Sequence, residues 1–116
     1  MCLSENYLYV ACHYGLRIYD VSDPSNPILV GSYHDPQYSV KGVFVSNGHA
    51  FLANEEEGLH IVDISDPADP VLVSDYYTSG FAYKTKVMDH YVYMADGNAG
   101  LQIFNVENPL EPSLVQ

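Results

Sequence analysis

Hydrophobic and polar residues alternate along most of the chain in short runs, and turn residues separate one run from the next. In the middle of the chain this pattern predicts four strands, at residues 40–46, 49–54, 58–64 and 71–77. β-Branched and aromatic residues fill these runs, as is typical of strands on a pleated, half-buried surface. An Asn-Gly pair between the first two runs is a strong hairpin signal. No segment keeps a helical period over about ten residues, so the pattern excludes a helical repeat.

The four-strand pattern occurs three times. Residues 58–67, Gly-Leu-His-Ile-Val-Asp-Ile-Ser-Asp-Pro, have counterparts at 15–24 and 100–109, at spacings of 43 and 42 residues. A second landmark recurs at a constant spacing of 42, at residues 7–11, 49–53 and 91–95. Four antiparallel strands per repeat of about 40–45 residues are typical of a β-propeller blade. We therefore predict an all-β chain of about three blades, with a partial blade at 1–34 and further blades at 38–77 and 81–116.

A recurring turn joins the third and fourth strands of each repeat. It reads Asp-Pro-Ser-Asn-Pro at 23–27, Asp-Pro-Ala-Asp-Pro at 66–70 and Asn-Pro-Leu-Glu-Pro at 108–112. An Asp or Asn side chain can accept a hydrogen bond from the backbone N–H two residues later, and the following proline presets φ for a turn. We therefore interpret Asp23, Asp66 and Asn108 as turn residues rather than as chemical groups.

Three blades are an incomplete ring, because propellers typically close with four to eight. The apolar faces of the end blades would be exposed unless additional blades cover them. Those blades could come from a longer chain or from a homo-oligomer, in which two copies give six blades. Alignment of the repeats places Met1 and Leu3 partway along an innermost strand, and residues 112–116 supply no replacement for it. This favours a fragment of a longer propeller, and the self-completing oligomer stays open.

The charge balance limits the partners that we expect. Fifteen acidic and four basic side chains give a formal net charge of −11. The four basic residues are scattered, so we expect no nucleic-acid binding, which needs a basic patch. No apolar run reaches the roughly 18–20 residues of a membrane helix, and the N-terminus lacks a signal-peptide pattern, so we expect no membrane insertion.

The loops between the second and third strands differ among the repeats while the strands recur, which is the usual arrangement of a binding face. We predict a possible interaction surface there, formed by His13, Tyr14, Asn54, Glu55, Glu56, Glu57, Asp96 and Asn98. Clustered carboxylates could hold Ca²⁺, but these loops lack the alternating acids and central glycine of a calcium loop. A solvated acidic turn is the alternative.

No catalytic, cofactor or metal site is predicted. Ser22 and Ser65 belong to the recurring turns, and no Gly-x-Ser-x-Gly elbow or phosphate-binding glycine loop is present. The five histidines have no metal-ligand spacing. A hairpin near Glu5 would pair Cys2 with a residue around position 8, which disfavours a disulfide with Cys12, and both cysteines are expected to be small buried hydrophobes.

The recurring phrase Gly-Leu-x-Ile-x-Asp-Val/Ile-Ser-Asp-Pro-x-x-Pro-x-Leu-Val, with strands ending Tyr-x-Tyr-x-Ala, resembles the LVIVD repeat family. The likeness covers nearly the whole chain, although the last repeat departs from it at residues 105–108, Asn-Val-Glu-Asn. The resemblance implies a β-propeller fold and a bacterial or archaeal protein that is extracellular or on the cell surface. It implies no catalytic residues.

We therefore expect a non-catalytic propeller module that binds a protein or another ligand. Two alternatives remain. The chain could be a fragment of a propeller enzyme, a hydrolase or an oxidoreductase, whose active site lies outside this segment. It could also be a self-assembling structural repeat protein.

Overall fold

The computed structural model describes residues 1–34, 39–78 and 80–115, and it leaves the side chain of Asn98 undescribed. The described residues form three antiparallel sheets of four strands each, with the strands of each sheet in chain order. Blade 1 contains β1 (Cys2–Ser4), β2 (Tyr7–Cys12), β3 (Gly15–Asp20) and β4 (Ile28–His34). Blade 2 contains β5 (Gly42–Ser46), β6 (His49–Asn54), β7 (Gly58–Asp63) and β8 (Val71–Tyr76). Blade 3 contains β9 (Lys84–Met88), β10 (Tyr91–Ala95), β11 (Leu101–Asn105) and β12 (Ser113–Leu114).

The all-β prediction is confirmed, and the three sheets are consistent with three incomplete propeller blades. The four strands predicted in the middle of the chain are also found, although β5 begins at Gly42 instead of residue 40. The hairpin between β5 and β6 turns at Asn47 and Gly48, whose φ angles are +51° and +74°. Asn and Gly tolerate positive φ better than other residues, so this pair fits the tight turn.

The recurring turns between third and fourth strands have the predicted geometry. The side chain of Asp23 accepts a hydrogen bond from Ser25 N–H at 3.1 Å, and Asp66 accepts one from Ala68 N–H at 3.0 Å. Asn108 does the same for Leu110 N–H at 3.1 Å. These residues are therefore structural turn residues.

The glycine that begins each third strand has a steric reason in the first two blades. A Cβ atom on Gly15 would lie 2.0 Å from the carbonyl oxygen of Tyr33, and one on Gly58 would lie 2.5 Å from that of Tyr76. The fourth strand passes so close that only glycine fits at this point. The glycine of the repeat thus allows the third and fourth strands to lie this close together.

The apolar core lies between the blades. Each blade has a leading face, which points toward the next blade in the chain, and a trailing face, which points toward the previous one. At the first junction the leading face of blade 1 (Tyr9, Leu16, Ile18) packs against the trailing face of blade 2 (Val40, Val43, Ala50, Leu52, Val62, Ile64). At the second junction the leading face of blade 2 (Phe51, Ala53, Leu59, Ile61) packs against the trailing face of blade 3 (Ala82, Val92, Met94, Phe104, Val106). The strands are therefore apolar on both sides, as their sequences indicate.

The two outermost faces repeat this pattern but are exposed. Leu101, on the leading face of blade 3, is 53% exposed, whereas its counterparts Leu16 and Leu59 are 1% and 0% exposed. Leu3, on the trailing face of blade 1, is 65% exposed. The arc of three blades therefore ends in an exposed trailing face on blade 1 and an exposed leading face on blade 3. These are the two different faces that meet at each internal junction.

The cysteines are only partly as predicted. Cys2 pairs with Tyr9 across the first hairpin, close to the expected position, and both cysteines are free thiols. Both side chains are partly exposed instead of buried, because Cys2 lies on the incomplete first strand and Cys12 at the end of β2. Across the described residues, no helix has the length and apolar character that crossing a membrane requires.

Candidate functional site

A polar cluster bridges the first junction. His60, on the trailing side of β7, is 3% exposed, and its Nδ1 atom lies 3.1 Å from the hydroxyl oxygen of Tyr33 in β4 of blade 1. The same Nδ1 atom is 3.3 Å from Nδ2 of Asn54, and Nε2 is 2.9 Å from a carboxylate oxygen of Glu57. These four side chains come from two blades and from the loop between β6 and β7.

The Glu57 contact determines the role of one ring nitrogen of His60. A carboxylate only accepts hydrogen bonds, so Nε2 of the imidazole donates to Glu57. In the neutral ring Nδ1 is then an acceptor, and it can receive the amide N–H of Asn54 and the hydroxyl of Tyr33. The cluster therefore positions the Tyr33 hydroxyl against blade 2. A buried His–carboxylate pair with a hydroxyl resembles the components of an activated nucleophile, but here the hydroxyl links two blades.

A second buried polar pair lies at the other junction. The carboxylate of Asp96 is fully buried and accepts a hydrogen bond from Thr78 Oγ1 at 2.9 Å. Its other oxygen, Oδ2, has no hydrogen-bond partner among the described residues. Asp96 occupies the position of Asn54 in the preceding repeat, so both junctions bury a short polar side chain at the end of the second strand.

The structure separates the residues of the predicted binding-face loops into two groups. Asn54 and Asp96 are fully buried, so they do not contribute to the exposed surface of this arc. Glu56, Tyr14 and His13 are exposed.

Three of the predicted loop residues, including the exposed His13, have polar partners. His13 Nδ1 lies 2.8 Å from the hydroxyl oxygen of the buried Ser39, and its ring contacts Tyr14 edge-on at a centroid distance of 4.1 Å. Glu55 forms an ion pair with Lys41 at 3.3 Å. Glu57 belongs to the His60 cluster. The side chain of Asn98 lies outside the described residues.

Backbone groups at the end of β2 and in the loop after β6 also form hydrogen bonds with the residues that precede the first strand of the next blade. The carbonyl of Cys12 accepts from Val40 N–H at 3.3 Å, and the carbonyl of Glu55 accepts from Ala82 N–H at 3.0 Å. The two donors are equivalent in the repeat, whereas the acceptors differ by one position, because Cys12 corresponds to Asn54. Part of the variable loop is therefore needed to position the neighbouring blade, which limits how much of it can serve a ligand.

Models of the LVIVD repeat match residues 1–35, 39–78 and 79–116. The chain belongs to the LVIVD repeat family. The three matched segments coincide with the three sheets, so the LVIVD repeat is the blade. No curated protein matches the chain significantly.

In this LVIVD chain, the described residues include no group of three or more His, Cys, Asp or Glu side chains that could hold a metal ion. The His60 cluster was not predicted from the sequence. Its one available signal was the substitution at this repeat position, where blade 1 has Arg17, blade 2 has His60 and blade 3 has Gln102. That signal shows a polar residue but not its partners in the preceding blade.

A second set of turns precedes the recurring ones. Asp20 accepts a hydrogen bond from Ser22 N–H at 2.9 Å, Asp63 accepts one from Ser65 N–H at 2.8 Å, and Asn105 accepts one from Glu107 N–H at 2.9 Å. These N–H groups, aided by the serine hydroxyls, hold the pKa of Asp20 and of Asp63 below the usual range of an aspartate. Both carboxylates thus stabilise the turn that follows the third strand of their blade.

Proposed function

We propose that this chain is a non-catalytic β-propeller module that binds a protein or another ligand and that associates with further LVIVD blades through its two end faces. The observation that supports it is the exposure of Leu101, whose counterparts Leu16 and Leu59 are almost fully buried at the two internal junctions. Apolar area of this kind is stabilising only when another surface covers it. Because the exposed face of blade 3 has the same residue pattern as the faces buried at the internal junctions, another blade is the partner that fits it.

A second copy of the chain can supply that blade. The end faces are unlike, so the association is head-to-tail, with the leading face of blade 3 against the trailing face of blade 1 of the next copy. Among rings of four to eight blades, only six is a multiple of three. Two copies therefore complete a ring, and the same two faces would accept blades of a longer chain.

Cross-linking tests the head-to-tail arrangement directly. Phe44 and Lys86 occupy the same position in β5 and β9, and Lys86 Nζ lies 6.0 Å from the centre of the Phe44 ring in the neighbouring blade. Cys2 occupies this position in β1. In the closed ring, residue 86 of one copy is therefore the neighbour of Cys2 of the other copy.

The experiment uses the K86C/C12S variant, which pairs a new thiol with the native Cys2, and a short bis-maleimide reagent. We expect a covalent dimer that the matched C2S/C12S/K86C variant does not form. Cross-linking that is equal in the two variants, or absent in both, would contradict the proposal.

We extend the proposal to an extracellular or cell-surface location. Only the family resemblance supports this location. Labelling of the protein on intact cells of its source by a membrane-impermeant reagent tests it, and protection from that reagent would argue against it.

A further inference from the structure

Two clefts lie at equivalent places on the two blade junctions. The first cleft, of about 570 Å³, lies between blades 1 and 2, and the second, of about 440 Å³, lies between blades 2 and 3. Both volumes fall within the range of small-ligand sites. The clefts open beside the hairpins that join first and second strands, away from the loops of the His60 cluster.

The residues that line the two clefts correspond through the repeat. Tyr7 and Tyr9 of the first cleft correspond to His49 and Phe51 of the second. Eight further pairs correspond in the same way: Ser4 with Ser46, Glu5 with Asn47, Val45 with Val87, Asn47 with Asp89, Gly48 with His90, Ile64 with Val106, Ser65 with Glu107, and Pro67 with Pro109. The cleft is therefore a property of the blade junction, and its polar lining differs from one junction to the next.

The walls of the clefts are held by a backbone hydrogen bond that recurs in all three blades. Val21 N–H donates to the carbonyl of Asn6 at 2.8 Å, Ile64 N–H donates to that of Gly48 at 3.0 Å, and Val106 N–H donates to that of His90 at 2.8 Å. Each bond joins a hairpin to the residue after the third strand. The cleft is thus formed by secondary structure, which favours a preformed binding site.

The two clefts share one wall. Asn47 and Ser46, in the hairpin of blade 2, line both of them. A ligand that extends from one cleft to the other would therefore pass over Asn47. Two adjacent sites of the same design suit a ligand made of repeating units, because linking two binding events raises the overall affinity.

The lining excludes anions and favours hydroxyl groups. Among the described residues that line the clefts there is no Lys or Arg, and Glu5, Asp89 and Glu107 add negative charge. Ser, Asn, Tyr and His supply hydrogen-bond donors beside these carboxylate acceptors. A ligand hydroxyl both donates and accepts, so it matches this mixed set, whereas an ammonium group only donates. The half-buried rings of Tyr7 and His49 lie at the same place in the two clefts and add a flat wall, whereas Tyr9 and Phe51 are buried beneath them in the core.

We propose that these two clefts together bind neighbouring units of an uncharged oligosaccharide. The inference deepens the proposed binding role and rests on it, but it does not need the end faces to be covered.

Calorimetric titration with neutral hexasaccharides tests this site, with maltohexaose, cellohexaose, chitohexaose and mannohexaose as probes and hexagalacturonate as the anionic control. We expect binding of at least one neutral probe, weaker binding of its monosaccharide, and no binding of hexagalacturonate. The absence of binding by all four neutral probes, or a preference for the anionic probe, would overturn the proposal. The mass of the protein in the same samples reports separately on end-face association.

Matched variants place the binding in the clefts. N47G removes the shared amide while glycine keeps the positive φ of this position, and we expect it to weaken binding about tenfold. E107Q, in the second cleft, should weaken binding by about threefold. The controls N26G and E111Q change exposed residues outside the described lining of both clefts, and they should leave the affinity unchanged. Equal effects in variants and controls would overturn the assignment.

Discussion

The hydroxyl of Tyr33 in blade 1 lies 3.1 Å from Nδ1 of His60 in blade 2. This contact links β4, the outermost strand of blade 1, to the trailing face of blade 2. The equivalent tyrosine of blade 2, Tyr76, instead packs edge-on against Phe104 at a centroid distance of 5.0 Å. The repeat thus uses the same residue in two ways. At the first junction it forms a polar contact, and at the second it forms an apolar one.

This difference predicts that Y33F and Y76F have unequal effects. Y33F removes the hydroxyl that His60 receives, and we expect the free energy of unfolding to fall by about 1 kcal/mol. Y76F keeps the ring contact with Phe104 and should change stability little. Urea-induced unfolding followed by circular dichroism measures both. Equal losses would show that the Tyr33–His60 contact does not stabilise the junction.

The buried carboxylate of Asp96 predicts a larger effect at Thr78. Because Thr78 donates to a charged group, T78V should cost about 1.5–3 kcal/mol of unfolding free energy. T85V is the matched control, since Thr85 donates to the neutral carbonyl of Phe51 at 2.9 Å and its loss should cost about 1 kcal/mol. The T78V/D96N double variant should recover part of the loss, because it removes the buried charge. A T78V variant no less stable than T85V would contradict this account.

The lowered pKa of Asp63 predicts a pH dependence. The folded chain binds a proton at this site less readily than the unfolded chain, in which an aspartate titrates near about 3.9. The stabilisation by the carboxylate is therefore complete above that value and is lost as the pH falls through the lower pKa of the folded state. In D63N the amide oxygen can still accept the hydrogen bond, as Asn105 does in blade 3.

We thus expect the melting temperature of the unsubstituted chain to exceed that of D63N near neutral pH, with a difference that shrinks as the pH falls from about 5 to below the unfolded-state value of about 3.9. D69N, whose side chain accepts no hydrogen bond from the described residues, controls for the removal of one negative charge. A difference that stays constant over this range would show that Asp63 does not contribute through its charged form.

The strands and turns could be predicted because their causes are local. The Asn47-Gly48 hairpin and the Asp66 turn depend on residues two or three positions apart, and the repeat spacing then orders the sheets. The Tyr33–His60 contact could not be predicted, since the two residues are 27 positions apart and meet only when blade 1 packs against blade 2. The burial of Asp96 was also missed. A polar loop residue usually faces solvent, but Asp96 lies against Thr78, in the segment that leads into blade 3.

If the exposed face around Leu101 is the interface, a charge at this position prevents association. Glutamate there would place a charge in an apolar interface, where burial without a partner is costly. L110E is the matched control, because Leu110 lies in a recurring turn and is 62% exposed. In sedimentation velocity we expect L101E to sediment as a single copy and L110E to behave as the natural chain. Unchanged association of L101E would exclude this face as the interface.

The most direct test of the central claim, that each end of the arc is half of a blade junction, is the mass of the natural chain in solution by light scattering. We expect a discrete particle of twice the 12.9 kDa chain mass, with little binding of a hydrophobic dye. A folded particle of one chain mass that remains soluble at high concentration would contradict it.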